Sequence, residues 1–414
     1  MRLSGWITAA AALVLFGIDS PISLAAAKTR PLALVGGTVY HSPEAVPLFD
    51  ATVVLLDGKV AGVGPRSKVT VPKGAVVLDC AGTVIVAGFQ NSHVHFTEQK
   101  WVDAAHQDVA RLSNALSAML TRFGFTTVVD TASSLANTVA LRRRIESGEV
   151  AGPRIFTAGE ALYPPEGVPF YVRDTLPAAV VNVLPQPSTP AAAVDVVRQH
   201  VQGGADVLKL FTGSWVARGN VLPMPTEIAS AAAAEAHRHK RLVLAHESNV
   251  AGLRVALDAR VDILVHGIDD SRGLTAEDRA RMRRQNVAVI PTLMLFQEGR
   301  YLWDVLDEVG HYARSGGQIL FGTDVGYLTA YDPTEEYVLM ASAGLGWREI
   351  LASLTTSPAE RFGEANRRGK VSPGMDADLV VLDSDPVRDV RAFANVRYTV
   401  RGGKLIYSKA RVSP

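Results

Sequence analysis

Short apolar runs alternate with amphipathic segments through the middle of the chain, residues 88–367. The amphipathic segments, such as ALSAMLTRF and EIASAAAAEAHRH, have the apolar spacing of helices. The apolar runs are typical of short strands, which end near His95, Asp130, Glu160, Phe211, His246, His266, Thr292 and Asp324. Eight strands that alternate with helices predict an α/β fold, namely a (β/α)8 TIM barrel. An open doubly wound sheet is the alternative, but it usually has an early glycine-rich phosphate turn, which this sequence lacks.

Both flanks of this α/β region are rich in predicted strands. In the N-terminal flank, residues 28–87, Asp57-Gly58 stands between two apolar runs and predicts a hairpin. The C-terminal flank, residues 368–414, contains the strand ADLVVLD and a hairpin that turns on Gly402-Gly403. We therefore expect the two ends to join in one small β-sandwich domain.

The first residues have the pattern of a secretory signal peptide. Arg2 supplies positive charge, residues 6–18 are apolar, and small alanines precede Lys28. A membrane anchor is the alternative, but the apolar run is too short to span a bilayer comfortably. We expect cleavage near Ala27 and an exported, periplasmic protein without stable membrane association once residues 1–27 are removed.

Composition narrows the choice of partner. The 414 residues carry 42 Lys and Arg against 41 Asp and Glu, a net charge of +1, which argues against nucleic acid. The expected partner is a small-molecule substrate. A homo-oligomer is compatible with this composition. The single cysteine, Cys80, excludes an intramolecular disulfide.

The first predicted strand of the barrel ends in a His-x-His pair, His93 and His95. Residues two apart on a strand face the same side, so the two imidazoles point together while Val94 points away. Such a pair suits a divalent ion. Two ordinary polar residues at a strand end are the alternative.

Lys209 lies inside the apolar run VLKLF. A buried ammonium is costly, so this lysine must lose its charge, find a partner or be modified. A neutral amine can capture carbon dioxide as a carbamate, whose two oxygens can bridge two cations. The alternatives are a side chain that reaches out of the barrel or an ion pair with Asp206 or Asp324.

Three further candidates end later strands: His246 in RLVLAHE, His266 in VDILVHG and Asp324 in QILFGTD. Neighbouring strand ends lie close together, so the two histidines can share a second ion. A carboxylate at Asp324 can bind the first ion and also move a proton. Each residue alone also fits a plain structural role, as a hydrogen-bonded core histidine or a turn aspartate, and Thr292 is expected to be structural.

Together these motifs resemble the amidohydrolase superfamily, as does the ending SPAERFG followed by GKVSPGMDADLVVLD. The lysine on the fourth strand is similar to that of the imidazolonepropionase-related and Xaa-Pro-type dipeptidase branch. The resemblance implies that His93, His95 and Asp324 hold one divalent ion, zinc by default, and that His246 and His266 hold another. It also implies that carboxylated Lys209 and a hydroxide bridge the ions. Two segments depart from the branch, AHESN, which lacks its tyrosine, and FTGSW after the lysine.

The resemblance implies hydrolysis of an amide or peptide-like C–N bond, with Asp324 carrying the proton from the metal-bridging hydroxide to the leaving nitrogen. An esterase or lactonase with the same site and a non-catalytic exported metal- or solute-binding protein are the alternatives. Residues 163–190 hold seven prolines, a composition that predicts a long, structureless loop. This loop is expected to cover the substrate, and a surface loop without a function is the alternative. Rim position predicts substrate contacts from Tyr163, Tyr171, Arg173, Trp215, Tyr327 and Tyr331, with Arg173 facing a substrate carboxylate.

Overall fold

The structure is a computed structural model that describes residues 30–409, so the predicted signal peptide lies outside the described residues. Within that range, no helix is both long and apolar enough to cross a bilayer. The described strands are β1 (Leu32–Val39), β2 (Leu48–Leu56), β3 (Lys59–Pro65), β4 (Val76–Asp79), β5 (Val84–Ala87), β6 (Phe89–Val94), β7 (Phe125–Asp130), β8 (Arg154–Thr157), β9 (Val207–Phe211), β10 (Gly213–Ala217), β11 (Asn220–Pro223), β12 (Leu242–His246), β13 (Ile263–Val265), β14 (Ala288–Ile290), β15 (Gln318–Ile319), β16 (Leu379–Leu382), β17 (Val396–Arg401) and β18 (Lys404–Ser408).

The α-helices lie mostly between the strands of the middle region. They are α1 (Val109–Met119), α2 (Leu135–Glu146), α3 (Phe170–Arg173), α4 (Ala178–Val181), α5 (Pro190–Gly203), α6 (Thr226–Arg238), α7 (Val250–Asp258), α8 (Ala276–Arg284), α9 (Leu302–Arg314), α10 (Thr334–Ser342), α11 (Trp347–Leu354) and α12 (Thr356–Arg361). Short 3-10 helices occupy Gln99–Trp101, Thr121–Phe123, Leu293–Phe296 and Val390–Ala394.

Eight parallel strands form the centre of the fold. They are arranged as a three-stranded sheet, β6-β7-β8, and a five-stranded sheet, β9-β12-β13-β14-β15. Isolated bridges link the adjoining edges, between Leu162 and Leu210 on one side and between Val94 and Val325 on the other. The α/β alternation predicted from the apolar pattern is confirmed, and the predicted strand ends agree closely with β6, β7, β9, β12, β13 and β14.

The two faces of each parallel strand explain how the site is positioned. Leu244 of β12 belongs to a buried cluster with Val207 of β9 and Ile263 of β13, whereas Val243 and Ala245 pack in the larger cluster that includes the helices. Because alternate residues share a face, His246 lies on the same face as Leu244, and Lys209 on the same face as Val207. The apolar residues thus direct these polar side chains toward the centre.

The two chain ends meet in one eight-stranded sheet, in the order β18-β17-β16-β5-β1-β2-β3 with β4 beside β1. The junction is the antiparallel pairing of β5 with β16. Both predicted hairpins are confirmed: Asp57 and Gly58 turn with φ of 49° and 75°, and Gly402 and Gly403 with 55° and 74°. Continuous hydrogen bonding joins all eight strands, so a division into two packed sheets stays a prediction.

Candidate metal centre

His93, His95 and Asp324 meet at the carboxyl end of the parallel strands. The Nε2 atoms of the two histidines lie 3.2 Å apart, so the imidazoles point together as their spacing predicted. Oδ1 of Asp324 lies 3.2 Å from Nε2 of His93 and 2.8 Å from Nε2 of His95. Burial raises the pKa of Asp324, but the two adjacent imidazoles outweigh it and hold that pKa well below its ordinary value. The predicted first-ion ligands are therefore in contact.

Asp324 does not end a regular strand, in contrast to the prediction. Strand β15 stops at Ile319, and the following residues bond to the segment at the end of β6. Backbone amides of Ser92 and Asp324 donate to Phe321 and His93 at 2.7 and 3.0 Å. With a φ of 58°, Asp324 turns its side chain toward the histidines. A left-handed aspartate is uncommon and marks a position that the surrounding structure holds in place.

Lys209 is 2% exposed, although its side chain is among the largest that the described core contains. Its ammonium group lies 5.4 Å from the ring of Phe211. Burial lowers the pKa of Lys209 to about 7, against the opposing influence of Asp324 and Glu247. The side chain therefore stays inside the fold, and half of the amine is neutral near pH 7. Neither an exit to solvent nor an ion pair with Asp206, which bonds to Arg142, occurs.

His246 and His266 extend the imidazole cluster. The ring centroids of His266 lie 4.7 Å from those of both His93 and His246, and Phe211 stacks on His246 at 4.4 Å. Burial lowers the pKa of His93 to about 4 and that of His246 and His266 well below the usual value, and the charge of Lys209 adds to the effect. All three rings are therefore neutral at pH 7, which is the form that binds metal.

Unpaired buried atoms test whether a cation fits this cluster. Oδ1 of Asp324 and Nε2 of His246 are buried without a hydrogen-bond partner among the described residues. The ligand atoms of His93, His95 and Asp324 all lie within 4.8 Å of one another. Lone pairs that converge without donors are unfavourable in a buried site unless a cation lies among them. The donor set of imidazoles and carboxylate suits zinc or a similar divalent ion.

The segment 163–190 packs beside the cluster through the contact of Tyr163 with Phe211, but it is not structureless as predicted. It contains α3 and α4, whose Val172 and Val181 pack on a small apolar cluster with Tyr163 and Phe211. The backbone amide of Tyr163 also donates to Pro185 at 2.9 Å. Prolines at the helix starts, before Phe170 and Ala178, allow these two turns despite the proline content.

Four of the six predicted substrate residues are aromatic side chains that contact residues next to the cluster. Tyr163 packs on Phe211 with ring centroids 4.6 Å apart, and Tyr171 packs on Tyr327 at 5.7 Å. The amide of Tyr327 donates to the backbone oxygen of Asp324 at 3.2 Å, which brings both tyrosines near that carboxylate. Trp215 projects from the β10-β11 hairpin. Burial raises the pKa of Tyr171 well above its usual value, so its hydroxyl remains a donor.

The other two predicted substrate residues are engaged with neighbouring loops. Arg173 is exposed, and Nη2 donates to the backbone oxygen of Val216 in β10 at 2.5 Å. The Tyr331 hydroxyl donates to Glu98 at 2.5 Å and accepts from Lys100. The expected pairing of Arg173 with a substrate carboxylate stays a prediction.

Asp269 and Glu247 are acidic residues at this site that the motif reasoning missed. Oδ2 of Asp269 accepts from Nε1 of Trp215 at 2.7 Å, and burial raises the pKa of Asp269 to about 7. Both carboxylate oxygens of Glu247 are buried without a hydrogen-bond partner among the described residues. Glu247 follows His246 in sequence, and Asp269 lies shortly after His266. This closeness to two predicted ligands is the sequence feature that could have identified them.

The β10-β11 hairpin depends on a close backbone approach at Gly213. A Cβ added there would overlap the backbone oxygen of Glu247. We expect Gly213→Ala to lower the free energy of unfolding by about 1–3 kcal/mol, because neither backbone can move freely. Urea unfolding measures this effect, with Gly62→Ala as the control, since a Cβ at Gly62 would meet only Val69 at 4.0 Å. Equal stability of the two variants would contradict the close approach.

Known proteins of similar sequence or structure include three enzymes that match most of this chain. A dihydroorotase of Pelotomaculum thermopropionicum is 24% identical over 425 residues, which cover 91% of this chain and 95% of that protein. An ochratoxinase of Aspergillus niger is 24% identical over 437 residues, which cover 93% and 88%. A solved Xaa-Pro dipeptidase with methionine bound in its active site has a TM-score of 0.79 at 20% identity, over 91% of this chain and 100% of that chain.

Parallel strands alternate with helices, and a polar cluster lies at the carboxyl ends of those strands, so the chain is an α/β protein. A model of the amidohydrolase family matches residues 84–406, most of the chain. The chain therefore belongs to the amidohydrolase family, and the resemblance deduced from the sequence motifs is confirmed.

Proposed function

We propose that this protein is a metal-dependent hydrolase that cleaves an amide or peptide-like C–N bond of a small substrate. The observation that carries the proposal is the convergence of the predicted ligands at one buried rim, namely His93, His95, Lys209, His246, His266 and Asp324. Membership of the amidohydrolase family supports this reaction class. The names of the dihydroorotase, ochratoxinase and dipeptidase relatives are consistent with it.

The residues would hold two divalent ions, with zinc as the first choice for these ligands. His93, His95 and Asp324 would bind one ion, and His246 and His266 would bind the other. When bound, such a pair supplies a hydroxide nucleophile at neutral pH because it lowers the pKa of a water between the ions. The neutral amine of Lys209 would add to carbon dioxide and release a proton, and the resulting carbamate would lie between the ions.

Asp324 also has the position to move protons. As a carboxylate at the rim, it would accept a proton from the nucleophile and deliver it to the leaving nitrogen. Tyr163, Tyr171, Tyr327 and Trp215 would contact the substrate, since their rings pack or bond beside the cluster. Arg173 and Tyr331 bond to neighbouring loops through their polar atoms, and their contact with the substrate stays a prediction.

The proposal includes the architecture and the location of the protein. The linked edges of the two parallel sheets support closure into a (β/α)8 barrel over residues 88–367. Residues 28–87 and 368–414 would form the second domain, a small β-sandwich, and the shared sheet supports this pairing of the ends. The signal pattern of residues 1–27 favours export to the periplasm.

Metal content is the first test. Protein purified without chelator is expected to contain about two divalent ions per chain by elemental analysis. Loading metal-free protein with zinc and bicarbonate should restore this number and the hydrolysis of a panel of N-acyl amino acids and dipeptides. Turnover confined to esters and lactones would assign the same centre to C–O bonds. Absence of metal after such loading would overturn the proposal.

A further inference from the structure

The imidazole of His266 is bonded on its outer side to Thr292. Nδ1 of His266 lies 2.7 Å from Oγ1 of Thr292, and that hydroxyl donates its only hydrogen to the backbone oxygen of Pro291 at 2.9 Å. Oγ1 must therefore accept from Nδ1, which must carry a hydrogen. With its hydrogen on Nδ1, an imidazole that binds a metal ion must do so through the lone pair of Nε2, the nitrogen directed away from Thr292.

Thr292 occupies an unfavourable backbone conformation to make this contact. Its φ is 43°, in the left-handed region, where a β-branched side chain is a true outlier. Such a conformation is unfavourable and persists only when its surroundings hold it. Thr292 is fully buried and follows Pro291 after the end of β14, at the start of the 3-10 helix Leu293–Phe296.

Glu336 of α10 holds this turn. It is fully buried, and its two carboxylate oxygens accept from the backbone amides of Leu293 and Met294, each at 2.8 Å. These amides belong to the first turn of a helix and have no partner within it. A carboxylate more than forty positions further along the chain therefore fixes the residues that follow Thr292.

We infer that Thr292 and Glu336 are positioning residues for His266: Glu336 holds the turn, Thr292 fixes the ring and its tautomer, and Nε2 is left free to bind a metal ion. This inference rests on the ligand role that the proposed function gives to His266. Hydrogen-bond partners of metal-binding histidines typically change metal affinity by about 10- to 100-fold. The effect should be confined to the ion that His246 and His266 share.

Zinc binding by the metal-free protein tests this inference, with a chelator as competitor and zinc alone as the probe. Thr292→Val keeps the β-branched shape but lacks the hydroxyl, and it should weaken one of two ions about 10- to 100-fold. Thr292→Ser keeps the hydroxyl and should retain most of the affinity. Glu336→Gln places an amide donor against a backbone donor and should weaken the same ion.

A second readout follows the tautomer directly. Nitrogen-15 spectra of histidine-labelled, metal-free protein should show His266 protonated at Nδ1 in the natural chain and in Thr292→Ser. Thr292→Val should lose this preference. Loss of fold alone would not distinguish serine from valine in this manner, and circular dichroism confirms that the variants remain folded.

His266→Ala distinguishes the ligand role of His266 from the positioning roles of Thr292 and Glu336. If it leaves zinc binding unchanged, the ligand assignment of the proposed function is wrong. If it weakens zinc binding while Thr292→Val and Glu336→Gln bind as the natural chain does, only the positioning inference is overturned. Equal losses in Thr292→Ser and Thr292→Val would also overturn it, because the hydroxyl would then be irrelevant.

Discussion

Asp324→Asn is expected to lower kcat by about 1,000-fold, within the range for loss of a general acid–base group. The amide has nearly the same shape, but it cannot accept a proton from the nucleophile or deliver it to the leaving nitrogen. His93 and His95 remain in place, so the variant should keep much of its metal. The three atoms now converge within 4.8 Å, and the amide oxygen can still occupy the position of Oδ1.

Steady-state kinetics on an amide substrate, with metal content determined on the same sample, checks this expectation. Asp307→Asn is the matched control, because it makes the same change at an exposed position of α9. A fully active Asp324→Asn enzyme would remove Asp324 from proton transfer. A variant that loses all metal would show that Asp324 acts mainly as a ligand.

Lys209→Met should remove the proposed carbamate, so we expect it to reduce the metal content from the proposed two ions per chain to about one. Activity should fall by at least about 100-fold, because a single ion lacks the partner that shares the nucleophile. Methionine fills a similar volume in the apolar strand without an amine. Metal-free natural protein should need bicarbonate to recover activity with zinc, and more readily above pH 7, where the amine of Lys209 is neutral.

The same substitution has a measurable effect on the stability of the metal-free protein. Burial lowers the pKa of Lys209 to about 7, whereas an unfolded lysine keeps its proton up to about pH 10.4. The unfolded chain therefore binds more protons between these values, and this group makes stability rise with pH from 7 to 9. Lys209→Met should remove that rise and increase Tm more at pH 7 than at pH 9. Identical pH dependence in both proteins would show that folding does not lower the pKa of Lys209.

The convergence of the site could be predicted because two simple periodicities determine it. Alternation along a strand directs His93 and His95 to one side, and parallel strands bring His246, His266 and Lys209 to one rim. These rules need no knowledge of loop structure. The two rules apply less well to Asp324, because β15 is only two residues long. The residues after β15 form hydrogen bonds with the backbone at the end of β6, so Asp324 does not lie in a regular strand.

The contacts that surround the site could not be predicted in the same way. The bond from Trp215 to Asp269 joins positions 54 apart, and that from Glu336 to Leu293 joins positions 43 apart. No local pattern in either segment specifies such a partner, because the pairing depends on how hairpins and helices pack over the strands. The helices α3 and α4 were missed for a related reason, since their proline-rich segment folds by packing on Tyr163 and Phe211.

The sheet shared by both chain ends has a consequence for synthesis of the protein. Strand β5 is complete after about a fifth of the chain has been made, but its partner β16 leaves the ribosome only near the end. During most of translation the edge of β5 therefore has unpaired backbone groups, which favour pairing with other chains. The sheet can be completed only when the last strands have been made. A truncated chain would therefore keep the unpaired edge of β5 and would not form a smaller stable protein.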